Sequence, residues 1–137
     1  MFYTIDLYIE GVKTPVTIDK YLPTYGGELI FAKGMNKREL WVPLLEKAYA
    51  KLSGTFMQTD GGTGREALAC LTGAPVIMRE LKDYPIETLR SELYYEAKQN
   101  LPMVAGSTQG RYSEEKTADG MVHGHQYSLL DVLNVYD

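Results

Sequence analysis

The sequence has 137 residues, of which 45% are hydrophobic and 23% are charged, and its formal net charge is −4. This composition is typical of an ordinary globular domain and excludes a chain that is disordered throughout. The acidic balance argues against non-specific nucleic-acid binding, and no apolar run approaches the ~20 residues that a membrane span needs. The single cysteine, Cys70, has no partner for an internal disulfide, so we expect a reducing, cytoplasmic setting.

The first third of the chain predicts three strands. Residues 2–10 and 12–19 are rich in β-branched and aromatic side chains, which favour strands. Pro15 cannot donate to a ladder, so the second strand should lie at a sheet edge. Residues 28–32 form a shorter apolar run and predict a third strand.

The clearest helix signal covers residues 38–52, where apolar side chains recur at helical spacing. Asn36 is the predicted N-cap, because Glu39 follows three residues later as in a capping box. Gly54 should end the helix, since glycine readily adopts the left-handed conformation found there.

The second half of the chain predicts shorter elements. Thr63 should cap a short helix at 65–71 that ends at Gly73, where the composition changes. The other elements predicted are a strand at 75–78, a helix at 86–99, and strands at 102–106 and 125–135. We therefore expect an α+β fold with a boundary near Gly73, dividing the chain into residues 1–73 and 74–137.

His123 and His125 are the two histidines of the chain. Side chains two residues apart on a strand share a face, so both imidazoles could bind one metal ion. Two ligands are too few for a stable site, however. An imidazole also titrates near neutral pH and could act as a general base, and an ordinary structural role is the remaining alternative. For Cys70, within a short amphipathic helix, the sequence favours an inert core thiol.

Four segments of the chain form a recognisable series, at residues 16–32, 39–56, 61–73 and 120–132. Together they resemble the calpain family of cysteine peptidases. They occur in the family's order and together cover most of residues 16–132. Residues 39–56, ELWVPLLEKAYAKLSGTF, are similar to a helix of the calpain protease core. The other three segments are VTIDKYLPTYGGELIFA, GGTGREALACLTG and GMVHGHQYSLLDV.

The resemblance implies roles for individual residues. His125 matches the catalytic histidine, within a Gly-His-x-Tyr-Ser pattern, and His123 falls where the family commonly has a lysine. Glu39 matches a glutamate that binds calcium in calcium-activated members, and Gly73 lies at the hinge between two core subdomains. We therefore expect a papain-like core in which residues 1–73 end the first subdomain and residues 74–137 begin the β-rich second one.

Two members of the family's catalytic triad have no counterpart in this sequence. The nucleophilic cysteine belongs to a Gln-Gly-x-x-Gly-x-Cys-Trp motif, which Cys70 does not match, and the triad asparagine precedes Pro-Trp-Gly. We expect an internal fragment or truncated relative of a calcium-dependent endopeptidase, inactive alone and without bound calcium.

The sequence leaves two other functions open. One is a non-catalytic calpain-like module that binds other proteins, and the other is a small metal-binding domain that uses His123 and His125. Protein substrates or protein partners are expected in either peptidase-related case. Self-association is expected as well, because apolar faces of an incomplete core would lack cover.

Overall fold

The computed structural model describes residues 1–36, 38–109 and 115–135 and has a mixed α+β architecture. The strands are β1 Phe2–Ile9, β2 Val12–Asp19, β3 Thr24–Tyr25, β4 Glu28–Leu29, β5 Met103–Gly106 and β6 Gln126–Leu129. The α-helices are α1 Trp41–Ser53, α2 Gly64–Thr72 and α3 Ile86–Lys98, and short 3₁₀ helices cover Phe56–Thr59 and Leu81–Asp83. Within these described residues, no helix is long and apolar enough to cross a membrane.

The chain divides into two compact units. The first unit contains Met1–Gly62 and Ala69–Pro75, and the second contains Thr63–Leu68 and Val76–Asp137. Each antiparallel strand pair, β1–β2, β3–β4 or β5–β6, lies within one unit.

The first unit begins with a regular hairpin. β1 and β2 pair from Phe2 opposite Asp19 to Ile9 opposite Val12. Glu10 and Gly11 connect the strands and both have positive φ, which a two-residue hairpin turn needs to match strand twist. Both strands were predicted to within one residue. Each is an edge in a two-stranded sheet, so the expected edge position of the second strand is also confirmed.

The hydrophobic core of the first unit joins this hairpin to two helices. Alternate hairpin side chains point toward α1, and Leu7 at its centre is 0% exposed. The buried cluster consists of Leu7, Val16, Ile18, Leu44, Ala48 and Cys70. Cys70 comes from α2 and is only 9% exposed, so the prediction of a buried core thiol is confirmed.

Two lysines of α1 bind the outer side of β2. Lys47 donates to the Asp19 carboxylate over 2.6 Å and also binds the carbonyl of Tyr21. Lys51 donates to the carbonyl of Thr17 over 2.7 Å. Helix and hairpin are therefore held together by charge-assisted hydrogen bonds as well as by apolar contact.

Helix α1 begins three residues after the predicted start. The Asn36 side chain accepts from the N–H of Arg38, and the Glu39 carboxylate accepts from the N–H of Met35, both over 2.9 Å. These side chains satisfy the turn before the helix, whose N-cap is Leu40. The capping-box prediction was wrong because the local turn competed successfully for both polar groups. Gly54 ends the helix as predicted, with φ of 108°.

Gly73 ends α2 at a place where no side chain fits. Its φ is +69°, and a Cβ there would lie 2.4 Å from the ring of Tyr8. The N-terminal end of α2 has the predicted cap, because the Thr63 hydroxyl accepts from Glu66 N–H and the Glu66 carboxylate accepts from Thr63. Both ends of this helix thus follow from local sequence.

Residues 75–78 are irregular, so the strand predicted there was wrong. The adjoining Arg79 binds α3 instead, donating to Glu92 and Glu96 over 2.8 Å each. The Tyr84 hydroxyl donates to the same Glu92 carboxylate. Ion pairs between Arg79 and α3 therefore hold the end of this segment, where the sequence predicted pairing with another strand.

The β5–β6 pair carries the histidine region. The helix predicted at residues 86–99 is confirmed as α3. Strand β6 covers only Gln126–Leu129 of the predicted 125–135. The N-terminal end of α2 lies against these strands within the second unit. A Cβ on Gly64 would lie 2.4 Å from Val104 Cγ2 and 2.8 Å from Gln126 Oε1.

Replacing Gly64 with alanine should destabilise the second unit. The added methyl group meets the stiff β-branched side chain of Val104 in a paired strand, so Val104 or the helix must shift, at a cost of roughly 1–3 kcal/mol. Urea unfolding of the full chain measures the loss. Gly106→Ala is the matched control, because its Cβ meets the flexible amide end of Gln126 at 2.6 Å, which can rotate away. Equal losses in the two variants would contradict this account.

In a Lys47→Met variant, the free energy of unfolding should fall less on acidification than in the unsubstituted chain. The hydrogen bond from Lys47, followed by that from Tyr21 N–H, lowers the pKa of Asp19 below its ordinary 3.8. The interaction between Lys47 and Asp19 therefore stabilises the fold at neutral pH. This contribution is lost as the pH falls through the lowered pKa of Asp19. Unfolding free energies at neutral pH and about pH 3 should differ less in Lys47→Met than in the unsubstituted chain.

The matched control for Lys47 is Lys51→Met, which loses a bond to a carbonyl that does not titrate. It should lower stability without changing the pH dependence. An unchanged pH dependence in Lys47→Met would show that this ion pair does not couple to folding.

Candidate active site around His125

The two histidines lie in a turn that leads into β6. Val122 forms a bridge with Lys116, residues 123 and 124 form the turn, and β6 begins at Gln126. Gly124 has φ of +61°, a conformation that L side chains rarely adopt. The premise that both histidines lie on one face of a strand was therefore wrong, because residues 123 and 124 form a turn and the strand begins only at Gln126.

Ser107 holds the backbone of His125 in place. The β5–β6 register ends with Gly106 opposite Gln126, which puts Ser107 opposite His125. Ser107 N–H donates to the His125 carbonyl over 2.9 Å, and the Ser107 hydroxyl accepts from His125 N–H over 3.0 Å. The same hydroxyl binds the carbonyl of Val122. One side chain thus holds the residues on both sides of the turn.

His123 has a structural partner. Its Nδ1 lies 3.1 Å from the carbonyl of Thr108, a geometry that requires the proton on Nδ1. The same carbonyl accepts from Gly124 N–H over 2.9 Å, and His123 N–H donates to Glu115. The family resemblance assigned no role to His123, whereas these contacts help to hold the turn.

The His125 side chain is exposed and contacts Tyr127. The two ring centroids are 5.1 Å apart with an interplanar angle of 74°, an edge-to-face arrangement. Aromatic pairs of this kind contribute about 0.5–1.5 kcal/mol beyond buried area. The Tyr127 hydroxyl oxygen accepts from Val122 N–H over 2.8 Å. An exposed imidazole on a supported backbone can accept and return a proton, as a general base must.

Sequence reasoning missed Ser107 and Tyr127 as members of this site. Tyr127 lies two residues after His125, so the strand periodicity contained a signal for their contact. Ser107 is 18 residues away and had no such signal, because its partnership depends on the pairing of β5 with β6.

Cys70 has the environment of a core residue. It packs among apolar side chains of the first unit and is 9% exposed. A thiol nucleophile needs access to substrate and an environment that favours thiolate. The position of Cys70 leaves its thiol little access to solvent or substrate.

Glu39 provides one carboxylate in the turn before α1. Its Oε2 already accepts from Met35 N–H. Calcium requires six to eight oxygen ligands. Across residues 1–36, 38–109 and 115–135, no group of three or more His, Cys, Asp or Glu side chains could hold a metal ion. These residues alone do not fit a calcium site, or a zinc site that includes the histidines.

Comparison with known proteins gives consistent matches along the chain. The sequence profile described as "Calpain family cysteine protease" matches residues 2–137. Calpain-B of Drosophila melanogaster is 35% identical over 89% of the chain, and the calpain-type cysteine protease DEK1 of Zea mays is 35% identical over 97%. Calpain-5 of Mus musculus is 33% identical over 91%.

The matched region is a small part of each relative. It covers 13% of Calpain-B, 6% of the Zea mays protein and 21% of Calpain-5. Within this chain, however, the profile leaves out only the first residue. A match of this extent shows that the chain belongs to the calpain family of cysteine proteases.

Proposed function

We propose that this chain is a portion of a calpain-like, calcium-dependent cysteine endopeptidase in which His125 is the general base. The observation that carries the proposal is the presentation of His125, exposed at the start of β6 with its backbone bound on both sides to Ser107. His125 also lies within Gly124-His125-Gln126-Tyr127-Ser128, which matches the family pattern for its catalytic histidine.

In this function, the His125 imidazole takes the proton of a cysteine thiol, which then attacks the peptide carbonyl. The imidazolium formed returns that proton to the leaving amine. The thiol and the triad asparagine belong to motifs outside this chain, and buried Cys70 does not replace the thiol. The chain alone is therefore inactive, since a base without a nucleophile cannot perform acyl transfer.

The proposed fold is the middle of a papain-like core, with residues 1–73 ending one subdomain and residues 74–137 beginning the next. The division into compact units supports this assignment, since the last segment of the first unit ends at Pro75. The units differ from it at Thr63–Leu68, which group with the second unit.

Calcium belongs to the proposed parent enzyme, where Glu39 contributes one ligand oxygen. The other ligands come from family segments before the nucleophile and after the asparagine, and this chain alone binds no calcium. The enzyme acts on protein substrates in the cytoplasm. Self-association of the isolated chain is also proposed, supported by the exposed apolar side chains of Leu130, Leu133 and Val135.

A non-catalytic calpain-like module that binds other proteins is the second candidate. The observation that favours it is the burial of Cys70, which leaves the chain without an accessible thiol. The third candidate, a metal-binding domain, has less support, because Nδ1 of His123 is already bound to Thr108. A catalytic assay distinguishes the first two candidates.

Transplanting residues 2–137 into the corresponding segment of Calpain-B should give a calcium-dependent peptidase. In this chimera, His125→Ala should lower kcat/KM by roughly 100- to 10,000-fold, the usual contribution of a general base. Hydrolysis of a fluorogenic peptide measures the effect. His123→Ala is the matched control and should cost within about tenfold, because it removes one hydrogen bond of about 0.5–1.5 kcal/mol. A folded chimera that is inactive even with His125 present would favour the non-catalytic module.

The chain alone should not cleave casein, with or without calcium. Its thiol lies in the core and cannot reach a substrate carbonyl while the fold is intact. Product formation is measured by mass spectrometry, with Cys70→Ala as the matched control. If the unsubstituted chain cleaves casein and Cys70→Ala does not, Cys70 is a nucleophile, and its assignment as a buried core thiol is wrong.

A further inference from the structure

Tyr127 contacts the candidate base with its ring and the preceding turn with its hydroxyl. The ring packs edge-to-face with His125, and the hydroxyl accepts from Val122 N–H. We propose that Tyr127 is the positioning residue that orients the His125 imidazole, an inference that rests on the proposed role of His125 as general base.

The register of β5 and β6 explains why Tyr127 can reach the imidazole. His125 and Tyr127 are two residues apart at the start of a strand, so their side chains share a face. Across the ladder, Tyr127 lies opposite Ala105, and Ser107 follows opposite His125. Both of these residues are small, and the Ser107 hydroxyl is already bound to backbone groups. On this face of the β5–β6 pair, Tyr127 therefore provides a large side chain beside the imidazole.

The hydroxyl bond restricts the position of the Tyr127 ring. It joins Tyr127 to a backbone N–H five residues earlier and closes a loop that contains His125. Val122 is itself held by its bridge to Lys116 and by the Ser107 hydroxyl. The ring is thus attached at one end to β6 and at the other to a supported turn.

This arrangement suits an exposed general base. An exposed imidazole can occupy several rotamers, and each rotamer directs its nitrogens to a different place. Proton transfer requires the nitrogen within hydrogen-bond distance of the thiol, so orientation is part of the catalytic contribution. Ser107 determines where the His125 backbone lies, and Tyr127 limits where its ring can point.

The test is NMR spectroscopy of the isotope-labelled full chain carrying Tyr127→Leu or Tyr127→Phe. Three-bond couplings report the χ1 rotamers of His125, and amide exchange reports the bond to Val122. Tyr127→Leu should shift the His125 ring resonances and average its couplings over several rotamers. Tyr127→Phe should retain most of the ring-induced shift but lose the protection of the Val122 amide. Tyr95→Leu, at an exposed tyrosine of α3, is the matched control and should change neither.

The rotamer readout separates positioning from a purely structural role. A structural role would change amide shifts across β5 and β6 while the His125 couplings stayed the same, and this result would overturn the inference. If Tyr127→Leu does not fold, Tyr127→Phe decides: unchanged Val122 protection and unchanged His125 couplings would likewise overturn it. None of these measurements needs catalysis, so failure of the proposed peptidase function would be seen separately, as an inactive chimera.

Discussion

The hydrogen bonds of Ser107 are the constraint on which the candidate active site depends. The β5–β6 ladder has only four residue pairs and ends at Gly106 and Gln126. Ser107 extends it by one residue, using its backbone N–H for the His125 carbonyl and its hydroxyl for the His125 N–H. Without this extension, the histidine would begin a frayed strand, and neither the turn nor the Tyr127 contact would have a fixed base.

The two histidines illustrate how similar residues acquire different roles from their surroundings. The ring of His123 binds the Thr108 carbonyl and is half-buried, so its contribution is to the turn. The ring of His125 is exposed and lies against Tyr127. Gly124 separates them with a left-handed conformation, within a turn at residues 123–124. The His123 imidazole therefore contributes a hydrogen bond to the turn, whereas the His125 imidazole lies exposed beside Tyr127.

Each compact unit has its own means of stabilisation. In the first, the hairpin and α1 bury an apolar cluster around Leu7, and Lys47 joins the helix to the end of β2. In the second, Arg79 links an irregular segment to α3 through two carboxylates, while Gly64 allows α2 to lie against Val104. The β5–β6 pair, which precedes and follows the turn at residues 123–124, belongs to the second unit and depends on the contacts made there.

Local sequence determined much of this protein. The hairpin followed from alternating side chains and a glycine turn, both ends of α2 followed from Thr63 and Gly73, and the family followed from segments such as the one around His125. Predictions failed where two local arrangements competed, as for Asn36, or where a strand at 75–78 required a distant partner. Ser107 and Thr108 entered the site only through the tertiary structure. The physical reason is that a strand register is set by long-range pairing and packing, which short-range propensities do not contain.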